Sequence, residues 1–151
     1  MSTSGRLSRR SALAVVAAAC GLAAFTSLTS LAAGCKASDT PAEPVWGKEP
    51  CASCKMLVGD KRYAAQVIDE SGEHRFFDDV GCMVLWMDGH RAPSHAWVRD
   101  PATGTWLDAR TARYVQGART PMDFGFEARD GGEVAFEAVR VAVLERKRSS
   151  R

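Results

Sequence analysis

The soft donors of this chain are gathered in one stretch, residues 50–86, which reads PCASCKMLVGDKRYAAQVIDESGEHRFFDDVGCMVLW. It carries three of the five cysteines (Cys51, Cys54, Cys82) and two of the five methionines, Met56 and Met83, the second directly after Cys82. Thiolate and thioether together select a soft ion, Cu(I) above all. Cys51 and Cys54 have Cys-x-x-Cys spacing, which lets two thiolates reach one ion or close one disulfide. Met56 adds a thioether within reach if the loop is extended.

Several chemistries compete for the motif. A structural zinc site wants four nitrogen or sulfur ligands, and Cys82 has no second Cys-x-x-Cys or His-x-x-His beside it. A redox pair of the thioredoxin type opens a helix after a strand. Here the motif follows Pro41, Pro44 and Pro50 and precedes a Val58-Gly59-Asp60 turn, so no strand leads into it. A thiol-disulfide oxidoreductase using Cys51 and Cys54 therefore stays the alternative reading. A structural disulfide between them also stays open in an oxidising compartment. So does a zinc- or organomercury-handling site built from thiolates alone, in which Cys82 would count for more than Met122. Soft-metal binding leads on chemistry alone. Asp78 and Asp79 read as helix caps without partners for acid–base work, and nothing else in the chain asks for an enzyme.

The run CxxCxM, then RYAAQ, then FFDDVGCMVLW resembles the accessory lipoproteins of nitrous oxide reductase, the NosL family, and the later TPMDFG resembles that family's second Met-bearing segment. The resemblance covers roughly residues 50–140. It implies a Cu(I)-binding metallochaperone that assists assembly of the copper-sulfide centre of nitrous oxide reductase in denitrification. Its partners would be the apo-enzyme and its copper-site maturation machinery. On this resemblance Cys54, Met56 and Met122 form a low-coordinate Cu(I) site, with Cys51 as a fourth donor or exchange ligand and Cys82 and Met83 as secondary donors. Met122 follows Pro121 in a loop, a poor place for a core side chain and a good one for a thioether. Lys55 stands between Cys54 and Met56, where glycine or a polar residue is expected. His74, His90 and His95 read as surface or turn residues, because their spacing matches no helical metal pair.

The compartment follows from the first residues. Residues 1–34 carry Arg6, Arg9 and Arg10, no acid, and an Ala/Leu/Val-rich run, which is a secretory signal with a twin-arginine-like start. Leu31-Ala32-Ala33-Gly34-Cys35 resembles a lipobox with Cys35 as the acylated residue. The expected place is the cell envelope, lipid-anchored and facing the periplasm, and Lys36 after the anchor favours the outer membrane where there are two. Removal of the signal leaves 17 of the 20 basic residues against all 18 acids, which leaves no case for nucleic acid. Cys51, Cys54 and Cys82 then remain beside the lipidated Cys35, an odd count that leaves at least one thiol outside any internal disulfide, which suits metal handling.

These residues must be positioned by a small scaffold. Residues 35–49, rich in Pro, Ser, Thr and Ala, read as a flexible tether. Residues 50–148 read as an α+β domain of two small, similar strand-strand-helix (ββαβ-like) units packed together, about 50–92 and 93–148, neither able to bury a core alone. In the first, Arg62–Asp69 and His74–Phe77 form a hairpin, and Asp78 or Asp79 caps a helix over Val80–Met87 that ends at Gly89. In the second, Ser94–Val98, Thr105–Tyr114 and Phe124–Ala128 are strands. Glu137–Arg148 closes the chain as a helix, with acids early and bases late.

Overall fold

The computed structural model describes residues 39–150, so the expected signal at 1–34, the acylation site Cys35 and the first residues of the tether lie outside the described residues. Among the described residues, short alternating or apolar runs bounded by Gly, Asp and Ser give seven strands, and two longer periodic runs give helices: β1 (Ala65–Ile68), β2 (His74–Phe77), α1 (Val80–Asp88), β3 (His95–Arg99), β4 (Trp106–Asp108), β5 (Arg113–Gln116), β6 (Phe126–Ala128), β7 (Val134–Ala135) and α2 (Phe136–Ser149). The strands make two antiparallel sheets, ordered β2-β1-β3-β4 and β6-β5-β7. Two antiparallel sheets and two helices are the α+β class expected, and they fit two small strand-strand-helix units packed together.

The β1–β2 hairpin is closed by Asp69, whose carboxylate accepts from the backbone of Ser71 and Glu73 and from Arg75 Nε. Gly72 supplies the left-handed residue of the turn, at φ 83°. In register, Ala65 pairs with Phe77 on one side and Val98 on the other, and Val67 pairs with Arg75 and Ala96. Ala65, Val67, Phe77, Ala96 and Val98 are all buried, and Val80, Met83 and Val84 of α1 join them in the core. Helix α1 packs on β1 and β2, on β6, and on α2, which is why its apolar residues occupy every side. Gly81 marks the closest approach: a Cβ there would lie 2.1 Å from the Phe124 ring.

Four expectations change. The first strand is shorter than Arg62–Asp69, because residues 61–63 are taken into a turn whose Asp60 carboxylate binds Arg62. The run Thr105–Tyr114 is two strands in different sheets. Asp108 breaks it by accepting from the backbone of Arg110 and Thr111, while Ala112 N donates to the Asp108 carbonyl. Strands β3 and β4, which the sequence placed with the second unit, extend the first sheet instead, since Ala96 and Val98 continue the buried face of Ala65 and Val67. The segment read as a tether is docked from Ala42 onward. Ala42 exchanges two 2.9 Å hydrogen bonds with the buried Gln66 side chain, Pro44 is buried, and Glu43 holds Arg99 at 2.7 Å and Trp106 Nε1 at 2.9 Å. Arg99 lies between the Trp46 and Trp106 rings, 5.4 and 5.1 Å from their centres. Among the described residues no helix is long and apolar enough to cross a membrane.

Candidate metal centre

The Cys51–Cys54 loop is set by its backbone. A bridge between Pro50 and Leu57 closes its base, with Val58 N donating to Glu49 O, Cys51 N to Met56 O at 2.7 Å, and Lys55 N to Cys51 O at 3.1 Å. Lys55 sits at φ 68° and Asp123 at φ 55°, the two non-glycine residues in the left-handed region among the described residues. Each adjoins a methionine singled out above, Met56 and Met122. Two contacts then fasten the loop to the sheet and helix: Ala52 N donates to Phe76 O on β2, and Gly59 N donates to the Asp78 carboxylate.

That fastening carries Cys51 and Cys54 to the start of α1, where Cys82 lies in the first turn. The three sulfurs lie within 4.8 Å of one another, and they are the one group of three or more His, Cys, Asp or Glu among the described residues that can hold a metal ion. Three sulfurs in a plane around one ion at about 2.3 Å each stand about 4.0 Å apart. The trio, within 4.8 Å, therefore closes on a common ion with shifts of about 0.5 Å or less per sulfur. Cys51 and Cys82 are buried and Cys54 is half-buried, so an ion would enter and leave past Cys54. All three are free thiols.

The thiols are not equivalent. The Cys51 thiol is held well below its usual range, first by a hydrogen bond from Cys82 and, against burial, by backbone N–H groups of Cys54, Asp78 and Ser53 aimed at its sulfur. Cys82 is pushed up by giving that hydrogen bond, by burial, and by the Cys51 and Asp79 charges. Burial also raises Cys54. The bias toward thiolate thus falls on Cys51, and thiols release protons as an ion binds. The neighbouring carboxylates are engaged elsewhere. Asp79, fully buried, accepts from Cys82 N at 2.9 Å, from Thr120 Oγ1 at 2.9 Å and from Met122 N at 3.2 Å. Its N-cap to α1 thereby also ties the Thr120–Met122 loop to the helix turn that bears Cys82.

Among the residues named from the sequence, the structure joins Cys82 to Cys51 and Cys54, although the sequence ranked Cys82 second to Met56 and Met122. Met56 is 53 % exposed at the loop edge, Met122 is half-buried against the core, and Met83 is fully buried within it. The imidazoles are spent on aromatic stacks: His90 on Trp86 at 4.0 Å, His95 on Trp97 at 5.2 Å, and His74 between Phe76 and Trp97. The role of Asp79 as the link between the Thr120–Met122 loop and the first turn of α1 was missed beyond its cap; the signal for it is a carboxylate at the N-cap with more hydrogen-bonding capacity than one cap uses. No family model, no curated protein and no solved structure matches this chain.

Proposed function

We propose that this protein is an extracytoplasmic Cu(I)-binding metallochaperone, a lipoprotein of the NosL type that helps assemble the copper-sulfide centre of nitrous oxide reductase. The observation that carries the metal-binding part is the all-sulfur trio Cys51, Cys54 and Cys82. Thiolate donors without nitrogen or oxygen suit a soft monovalent ion, which is satisfied with few ligands, whereas structural zinc asks for a fourth. Met122 adds a thioether, supported by the Asp79 hydrogen bonds that hold its backbone and that of Cys82 to one carboxylate. Met56, exposed beside Cys54, is the exchange ligand through which the ion moves to a partner. The copper-sulfide centre, the receiving enzyme, the lipid anchor on Cys35 and the periplasmic, outer-membrane place rest on the sequence resemblance and the lipobox.

A second reading, a zinc- or organomercury-handling site of thiolates alone, is favoured by one observation, that Cys82 completes the trio. The oxidoreductase reading fits less well, because Cys51 and Cys54 lie in a turn and not at the start of a helix. The test is anaerobic loading of the purified chain with Cu(I) or Zn(II), followed by titration with a competing chromogenic chelator. Retention of about one Cu(I) per chain supports the proposal. Failure to hold Cu(I) against the chelator refutes it, tighter retention of Zn(II) moves the account to the second reading, and insulin reduction indifferent to copper moves it to the oxidoreductase.

A further inference from the structure

We infer that the surface around the cysteine loop docks an acidic protein partner, and the partner's role as recipient of the ion rests on the metal-transfer reading above. Its chemistry rests on charge and exposure. The exposed large hydrophobics among the described residues are Val45, Met56, Leu57 and Val141. The first three flank the cysteine loop. Leu57 bridges Pro50, Met56 O accepts from Cys51, and Val45 O accepts from the Lys48 and Glu49 amides in the turn whose Gly47 donates to Val58 O.

The lysines gather at the same place. Of the four described lysines, Lys147 bonds Asp88 at 3.1 Å, while Lys48, Lys55 and Lys61 all belong to the loop and its flanks and none pairs with a carboxylate. Lys55 Nζ rests on the Ala52 carbonyl at 2.8 Å, and Lys61 Nζ lies 5.5 Å over the Trp46 ring. Nearby acids are already committed, Asp60 to Arg62 and Glu43 to Arg99 and Trp106, which leaves Glu49 as the one carboxylate between residues 45 and 58. Lys55 also holds a left-handed conformation that glycine would adopt without strain, so the chain keeps an ammonium at the loop's lip at a cost to its backbone.

Ammonium groups with no carboxylate partner, set around exposed Val, Met and Leu side chains, fit a protein surface that presents carboxylates and apolar contacts. A bilayer fits less well. It offers no sulfur to receive the ion, and segments that bind anionic lipid by charge gather about 4–8 cations where this surface has three lysines without a carboxylate partner.

The probes are two labelled synthetic peptides with the same Cys-x-x-Cys acceptor, one flanked by glutamates and the other by lysines, titrated against the purified full chain by fluorescence anisotropy. At low salt the glutamate peptide should bind about tenfold tighter, and the difference should fade at high salt. The Lys48→Glu/Lys61→Glu variant, which leaves the cysteine loop intact, should lose that preference while its Cu(I) affinity stays that of the wild type. Equal binding of the two peptides at low salt overturns the proposal. So does a fall in Cu(I) affinity in step with peptide binding, which would make the lysines counter-charges to the thiolates. Anionic phosphatidylglycerol vesicles that capture the wild type but not the variant, with no peptide preference, would assign the surface to lipid and overturn it too. Anisotropy reads association without copper, so failure to take up Cu(I) would sink the metal-transfer reading and leave docking to be judged separately.

Discussion

Cys82 decides what the site is, because it turns a two-thiol loop into a three-sulfur pocket. Replacing it with Ser keeps the size and removes the sulfur. We expect Cu(I) affinity to fall at least about a hundredfold, beyond the ten- to hundredfold typical of an outer partner of a metal site, as read by chelator competition. Met56→Leu should leave affinity within about tenfold and slow transfer to a thiol acceptor instead. Asp79→Ala removes the cap of α1 and strands the Thr120 hydroxyl and the Met122 amide, so urea unfolding should show a loss of about 2–4 kcal/mol. Cys82 could be placed in the first turn of α1 from the sequence, because Asp79 and Gly89 mark that helix in the residues themselves. Its partnership with Cys51 and Cys54 could not. The contacts that bring the loop there, Ala52 N to Phe76 O and Gly59 N to the Asp78 carboxylate, join residues far apart in the chain, and the loop's share of both is a backbone amide, which carries no mark in the sequence.

At the scale of elements, α1 and the β1–β2 hairpin form the rigid bed on which the cysteine loop lies. Gly81→Ala would gain helix propensity but drive a methyl into the Phe124 ring. The overpacking should win, with a net loss of about 1–2 kcal/mol in thermal or urea unfolding. The hairpin turn predicts a pH dependence. Although burial opposes it, hydrogen bonds from Ser71 and Arg75 and from backbone amides hold the Asp69 carboxyl well below the ordinary range. A depressed folded-state value means that its stabilisation is fully present above the unfolded value of about 3.9 and is lost as pH falls from there through the folded value. Wild-type stability in urea should therefore begin to drop below about pH 5 and still be falling at about pH 2, more steeply than that of Asp69→Asn. The hairpin was legible because its turn residues carry their own geometry. The break of Thr105–Tyr114 into β4 and β5 was less so. Its turn is made by one aspartate, Asp108, within a run whose other residues suit a continuous strand, and the two-residue β7 is too short to leave a pattern.

For the whole molecule, the consequence is that the segment leading into the site belongs to the fold. Ala42 on Gln66, and Glu43, Trp46 and Trp106 around Arg99, clamp this segment to the outer face of the first sheet shortly ahead of Cys51. Composition hid this, because Pro, Ser and Ala give no sign of partners that lie some sixty residues on, as Trp106 does from Glu43. Arg99→Ala should lower stability by about 1–2 kcal/mol and speed exchange of the Gly47 and Cys51 amides, measured by hydrogen exchange. The central claim is that this scaffold presents a sulfur-only site to Cu(I). An X-ray absorption spectrum of the copper-loaded protein tests it most directly, since it counts sulfur against nitrogen and oxygen around the metal. The expected spectrum is that of reduced copper in a shell of sulfur alone, with one sulfur lost in Cys82→Ser. A shell led by nitrogen or oxygen, or one unchanged by removing Cys82, would contradict it.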